Sequence, residues 1–444
     1  VSAAGFLRRL LGRARGGAGA EHLVGLCAAL LGERGEVSGA ALARQALAAW
    51  QALEARERET FFDALAEEFA PPREAVGNAA DAYRYDPSPQ NLARLQEVLD
   101  SGRQELFRRL NMAPGGTAML VGLRRELLQG LRRHPAWAAV DADLLHLFRS
   151  WFNRGFLRLE RIDWRTSAIV LEKLIEYEAV HAIQGWGDLR RRLAADRRCY
   201  GFFHPQLPDE PLIFIEVALV QGMSEQVQPL LDPRSVIADP GAADCAIFYS
   251  ITNCQEGLRG TSFGNLLIKQ VAEDLKREFP HLKTFATLSP IPGFRRWLAQ
   301  NDTRVRLSVG ANGEQRLALL AELEKEGWHR APPEPLQKLL MRLCAWYLLH
   351  AKQGEEPLDP VARFHLGNGA ALERLNWLGD TSASGMARSA GLMVNYAYRL
   401  DEVERNHERY FSEHAVVASR AVEKLARKSP LALPAPPADR RGDA

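Results

Sequence analysis

Between an apolar run, Cys245 to Ile251, and a strongly periodic stretch, Phe263 to Phe279, the chain reads Gln255-Glu256-Gly257-Leu258-Arg259-Gly260-Thr261-Ser262-Phe263-Gly264-Asn265. A glycine-bearing turn at the start of a helix suits a pyrophosphate. The glycines let the backbone approach a bulky anion, and the first N–H groups of the helix face it with the positive end of the dipole. The same glycines also suit a tight turn that needs only positive φ at Gly260 or Gly264, and spacing alone leaves both readings open. Two further groups are capable of chemistry. Ser289 precedes Pro290, a place where serine also serves as a turn or cap residue. His365 lies between Phe364 and Leu366, company in which a histidine is commonly a hydrogen-bonded structural group. Arg295 and Arg296 form a basic pair suited either to a negatively charged ligand or to plain solvated surface.

These residues need a scaffold, and the pattern around them supplies one. Leu212 to Val220, Cys245 to Ile251 and Thr284 to Leu288 have strand length and β-rich composition. In the helix between the last two, Phe263, Leu267, Val271 and Leu275 share one face, Lys269, Glu273, Lys276 and Arg277 are solvent-facing, and Pro280 ends it. Strand, turn, amphipathic helix and strand make a βαβ unit. Leu336 to Leu349 is a further helix, and Asp359-Pro360 a start signal for another. Upstream, from Glu21 to Arg192, helix follows helix: Phe61, Leu65 and Phe69 recur every four residues before Pro71-Pro72. Turn signals at Asp86 to Pro89 and Ala113 to Gly116 divide the rest into a bundle. Gly185-Trp186-Gly187 marks the break between the two regions.

At 444 residues the chain has room for two or three compact units. Its 57 basic and 55 acidic side chains leave a formal charge of +2, so no basic excess points to nucleic acid. Five scattered cysteines without CxxC pairs suit a reducing compartment and suggest neither a disulfide framework nor a zinc site. No dense cluster of His, Asp and Glu has metal-ligand spacing. No apolar run approaches the roughly 18 to 20 residues that span a bilayer, so no membrane association is expected. The first twenty residues are arginine-rich and free of acid, a pattern shared by organellar transit peptides and by frayed basic helices. The Pro-rich end from Ser429 is expected to be disordered.

Longer motifs go further. Arg259-Gly260-Thr261-Ser262-Phe263-Gly264 resembles the coenzyme A loop of GNAT-type acetyltransferases, with Ser262 in place of the middle glycine. Phe285-Ala286-Thr287-Leu288-Ser289-Pro290-Ile291-Pro292-Gly293-Phe294 resembles the LSPIPGF motif of malonyl-CoA decarboxylases. Arg363 to Ala370 is similar to that family's histidine motif, and Met393-Val394-Asn395-Tyr396-Ala397-Tyr398 to its C-terminal tyrosine motif. Looser similarity runs through Phe156 to Ile162 and Cys199 to His204.

The resemblance implies an α+β protein: an N-terminal all-helical bundle domain, residues 1–184, that oligomerises to a homotetramer, then a GNAT-like mixed α/β acyl-CoA-binding domain, 185–428, and a tail, 429–444. It implies malonyl-CoA as substrate and no cofactor or metal. Ser289 and His365 match the family's catalytic serine and histidine, Tyr398 its late catalytic-site tyrosine, and His204 another of its histidines. The segment Arg259, Gly260, Thr261, Ser262, Phe263, Gly264 and Asn265 matches its malonyl-CoA-binding loop, although animal members carry a glutamate where Ser262 stands. The expected compartment is the cytoplasm, with the mitochondrial matrix as alternative.

Loss of carbon dioxide from a malonyl thioester leaves an enolate whose oxygen needs preorganised donors and whose α-carbon needs a proton. His365 is the expected donor of that proton, since a histidine can hold or release one near neutral pH. On this reading Ser289 hydrogen-bonds the malonyl carboxylate or His365; the covalent alternative makes Ser289 a nucleophile. Two rival functions share the cradle: an acyl-CoA N-acyltransferase, which needs an amine pocket, and an inactive acyl-CoA sensor.

Overall fold

The computed structural model describes residues 18–33, 35–100, 102–261, 267–310 and 312–431. The arginine-rich start up to residue 17, the turn residues Ser262, Phe263, Gly264 and Asn265, and the tail from 432 lie outside the described residues. The chain divides into two compact units: Val1–Arg158 with Phe203–Leu212 and Asn253–Phe263, and Leu159–Phe202 with Ile213–Thr252 and Gly264–Ala444.

The first unit is helical. Its described α-helices are Ala18–Gly32, Glu36–Ala52, Ala55–Glu67, Arg73–Tyr85, Pro89–Leu99, Gly102–Asn111, Gly116–Gly130 and Ala138–Trp151. The punctuation read from the sequence sits at their ends. Ser88 accepts a hydrogen bond from the Asn91 N–H with Pro89 opening the helix, and Gly115, at φ 79°, precedes Gly116–Gly130. Phe61 and Leu65 are buried on one helix, and Phe69 stays buried beyond its end. The core collects Leu23, Cys27, Trp50, Phe62, Phe107 and Leu127, each large apolar side chain contributing about 1.5–3 kcal/mol of transfer free energy. It also takes in Leu207, Leu212 and Leu258, which reach it from far along the sequence. Two helices stand apart from this core: Arg73–Tyr85 buries only Ala79, and Pro89–Leu99 buries nothing, leaving Tyr85, Leu92 and Leu99 exposed.

The second unit is built on a mixed sheet, so the α+β expectation of helices followed by a mixed α/β domain holds. Its strands are β1 (Arg158–Ile162), β2 (Arg197–Phe203), β3 (Ile213–Val220), β4 (Cys245–Asn253), β5 (Thr284–Thr287), β6 (Ser289–Pro290), β9 (Ala371–Asn376) and β10 (Met393–Ala397); Lys352–Gln353 (β7) and Glu356–Pro357 (β8) form a separate small hairpin. The order is β1-β2-β3-β4-β5-β10-β6, with β9 on the other edge of β10. One strand departs from the reading of continuous helix to Arg192. β1 carries charges at three of its five positions and buries only Ile162, so it has no periodic apolar face to announce a strand. Gly185, at φ 101°, opens the helix Trp186–Arg192. At the far end Leu431 is buried.

The βαβ unit forms as read. β4 and β5 pair in parallel, Cys245 opposite Thr284 and Phe248 opposite Thr287, and the intervening helix Leu267–Glu278 buries Leu267, Ile268, Val271, Ala272 and Leu275. After Thr287 the strand breaks for one residue, whose N–H bonds the Phe248 carbonyl at 2.9 Å. β5 and β6 then lie in succession along one edge of β10, with Ala286 opposite Ala397 and Ser289 opposite Val394. Asp359 starts the helix Pro360–Gly367 by accepting from the N–H groups of Val361 and Ala362, both at 3.0 Å.

Candidate active site

Three elements of the second unit converge on one imidazole. His365 lies in the last turn of the helix that Asp359 caps, Ser289 opens β6, and Tyr398 follows β10. Ser289 Oγ is 2.9 Å from His365 Nε2, across 76 residues of sequence, and the Tyr398 hydroxyl is 2.8 Å from His365 Nδ1, across 33. Ser289 Oγ also donates to Thr287 Oγ1 at 2.8 Å, and Thr287 Oγ1 accepts the Tyr396 N–H at 3.1 Å. The result is a line of hydrogen bonds, Tyr398, His365, Ser289, Thr287, tied at its end to the main chain.

Burial governs the charge states. His365 is 3 % exposed, and desolvation pushes its pKa from the usual 6.5 down to about 3, so the imidazole is neutral at pH 7. Burial also raises the Tyr398 hydroxyl well above its ordinary value, so it keeps its proton. Because the Ser289 hydroxyl donates to Thr287, the contact at Nε2 needs its proton from the ring, which puts that proton on Nε2 and leaves Nδ1 to accept from Tyr398. The Tyr396 ring stacks on the imidazole at 4.6 Å and fixes its plane. This polarity is the reverse of a hydrolase triad, where a carboxylate on Nδ1–H makes Nε2 the base.

A family model described as "Malonyl-CoA decarboxylase C-terminal domain" matches residues 155–434, and one described as "Malonyl-CoA decarboxylase N-terminal domain" matches 69–152. The chain belongs to the malonyl-CoA decarboxylase family. It is similar to the mitochondrial malonyl-CoA decarboxylase of Anser anser anser, 38% identical over 74% of this chain and 70% of that one. The Rattus norvegicus relative is 37% identical over 75% and 72%. The solved malonyl-CoA decarboxylase of Rhodopseudomonas palustris is 49% identical, with a TM-score of 0.86 over 91% of this chain and 99% of that one. That of Agrobacterium vitis is 47% identical, with a TM-score of 0.83 over the same shares.

Within this malonyl-CoA decarboxylase family member, the other residues singled out from sequence lie in different surroundings. His204 belongs to the first unit, where Nε2 meets the Trp151 carbonyl at 3.1 Å and Nδ1 accepts the Gln206 N–H at 3.2 Å. Both ring nitrogens are therefore taken by main chain, and burial lowers its pKa. It lines a hollow of about 360 Å³ with Asn111, Thr117, Trp151, Phe156 and Gln206. Arg259, Gly260 and Thr261 also belong to the first unit; Arg259 and Gly260 are exposed, Gly260 has φ 82°, and Thr261 is buried. Arg295 is held by Glu324 at 2.9 Å, while Arg296 is exposed.

The sequence reading left Thr287 and Tyr396 out of the candidate site. Their signal was present in the two-residue period of a strand, which puts Thr287 on the side of Ser289 and Tyr396 on the side of Tyr398.

Proposed function

We propose that this protein decarboxylates malonyl-CoA to acetyl-CoA and carbon dioxide, without cofactor or metal, with Ser289, His365 and Tyr398 at the acyl end and the segment Arg259 to Asn265 at the diphosphate. The observation that carries this reading is the 2.9 Å contact between Ser289 Oγ and His365 Nε2 with a tyrosine hydroxyl on Nδ1. Membership of the malonyl-CoA decarboxylase family supports the substrate.

The malonyl carboxylate leaves as carbon dioxide, and its bonding electrons pass to the α-carbon and thioester oxygen as an enolate. Ser289 turns its hydroxyl proton from Thr287 to that carbon. His365 Nε2–H replaces the serine proton, Tyr398 replaces the one on the imidazole, and one proton taken up from the medium as product leaves restores the line. The enolate carbon is a far stronger base than a phenolate, so the relay runs downhill even with a buried tyrosine. A protonated Nε2 cannot take the serine proton, which favours this noncovalent course over a malonyl-serine intermediate.

The test is carbon dioxide release from malonyl-CoA in the absence of any amine. Turnover is expected, and Ser289→Ala should lower kcat by on the order of 10²-fold or more while leaving the fold intact. A variant with unchanged kcat would overturn the site, and a serine-linked malonyl adduct after rapid quench would replace the relay with the covalent route.

We assign self-association, to the homotetramer, to the helical unit, supported by the exposed Tyr85, Leu92 and Leu99 on two helices that bury almost nothing. Light scattering at several concentrations checks it. The cytoplasm suits cysteines of which Cys27, Cys199, Cys245 and Cys344 are buried, with no disulfide among the described residues.

A further inference from the structure

Arg124 is an unusual arginine. It projects from the helix Gly116–Gly130 with only 2 % of its surface exposed. Its Nη1 donates to two carbonyl oxygens of the glycine-bearing turn, Gly257 at 2.7 Å and Arg259 at 2.8 Å, while its Nε is held by Asp141 at 2.7 Å. All of these residues belong to the first unit. The turn is pressed onto the same helix: a Cβ at Gly257 would stand 2.0 Å from the Val121 carbonyl oxygen, and Leu258 is part of the helical core.

A trans peptide is planar, with its C=O and N–H pointing in opposite directions. Holding the Arg259 carbonyl inward on a buried guanidinium therefore turns the Gly260 N–H outward, at an exposed residue whose φ of 82° suits glycine. The neighbouring donors are spent inside the turn: Leu258 N–H on Gln255, Arg259 N–H on Glu256 and Thr261 N–H on Leu258. Thr261 adds a buried hydroxyl that has no hydrogen-bond partner among the described residues. The turn thus presents one outward main-chain donor and the exposed Arg259, with the unspent hydroxyl of Thr261 buried beside them, a set suited to a diphosphate.

We infer that Arg124, braced by Asp141, is a positioning residue for the diphosphate of the acyl-CoA substrate, acting through the orientation of the Arg259–Gly260 peptide and without touching substrate. The inference rests on the decarboxylase reading above. It makes Arg124 matter only for substrates that carry the nucleotide.

The experiment compares two substrates, malonyl-CoA and malonyl-pantetheine, which has the same reacting end and lacks the diphosphate. Wild type is measured first, and failure to release carbon dioxide from malonyl-CoA would remove the decarboxylase reading itself. Arg124→Met is expected to raise KM for malonyl-CoA by about 10- to 100-fold with kcat nearly unchanged. Kinetics with malonyl-pantetheine should not move. Asp141→Asn, which keeps the guanidinium and loosens its brace, should shift the same ratio by a smaller factor and serves if Arg124→Met does not fold. Equal losses on both substrates would mean that Arg124 only supports the fold, and no change on either would mean that the turn does not hold the diphosphate. Both results overturn the inference.

Discussion

Replacing Tyr398 with phenylalanine removes one oxygen atom from the centre of the proposed relay and nothing from its packing. The hydroxyl is 2.8 Å from His365 Nδ1, and both side chains are almost fully buried, so no solvent replaces the lost bond. Two effects follow. An imidazole nitrogen left buried without a partner costs about 1–3 kcal/mol, which lowers the stability of the second unit by that amount. The preference for the proton on Nε2 also disappears, because the other tautomer no longer faces a donor. That change alone at most halves the fraction of enzyme with a proton facing Ser289, but the relay also loses its last proton, and if this costs the transition state the same 1–3 kcal/mol, kcat falls by about 5- to 150-fold. KM for malonyl-CoA should stay near its wild-type value, since Tyr398 binds no part of the nucleotide on this reading. Steady-state carbon dioxide release gives kcat and KM, and urea unfolding gives the stability change. A kcat within threefold of wild type alongside the full loss of stability would reduce Tyr398 to a core tyrosine, and the directional relay would be refuted.

Thr287→Val removes the acceptor of Ser289 and of the Tyr396 N–H at constant volume, and should destabilise by about 1–3 kcal/mol as read by urea unfolding, with a modest fall in kcat. The pH dependence has a definite sign. His365 has a folded pKa depressed to about 3 against an ordinary 6.5, so the unfolded chain takes up a proton that the folded one refuses. Its contribution is full above pH 6.5 and is lost toward pH 3 at about 1.4 kcal/mol per pH unit. His181, depressed to about 4, acts in the same direction, whereas burial raises Glu216 to about 7 and acts in the opposite one. His365→Gln should therefore flatten the fall of stability between pH 6.5 and 4 relative to wild type, and parallel curves would count against a neutral buried imidazole.

Most of the candidate site was legible because its residues sit in extended motifs: Ser289 within Leu288 to Phe294, His365 beside Asn368 and Gly369, Tyr398 at the end of Met393 to Tyr398. The helix Leu267–Glu278 announced itself through a 3.6-residue period, and the start at Asp359 through its cap chemistry. Other features left no local trace. β1 is mostly solvent-facing, so hydrophobic periodicity had nothing to report. Leu207, Leu212 and Leu258 read as ordinary loop and strand-edge leucines, because a pattern of neighbours in sequence says nothing about which core a side chain enters. Arg124 was invisible for a related reason: one arginine on a helix looks solvated until the two carbonyls it bonds, more than a hundred residues away, are in place.

The late leucines have a bearing on how the protein comes off the ribosome. The helices up to Trp151 emerge first, but the apolar interior they enclose is completed only by Leu207, Leu212 and Leu258. A nascent chain halted at Arg158 would carry an open seam along Gly116–Gly130, with Arg124 lacking both carbonyls that receive its charge. Such an intermediate exposes greasy surface for the time it takes to add another hundred residues, about 5–20 s at a typical elongation rate. Chaperone occupancy on stalled chains should therefore persist past the apparent end of the helical region and fall once residue 263 has cleared the exit tunnel.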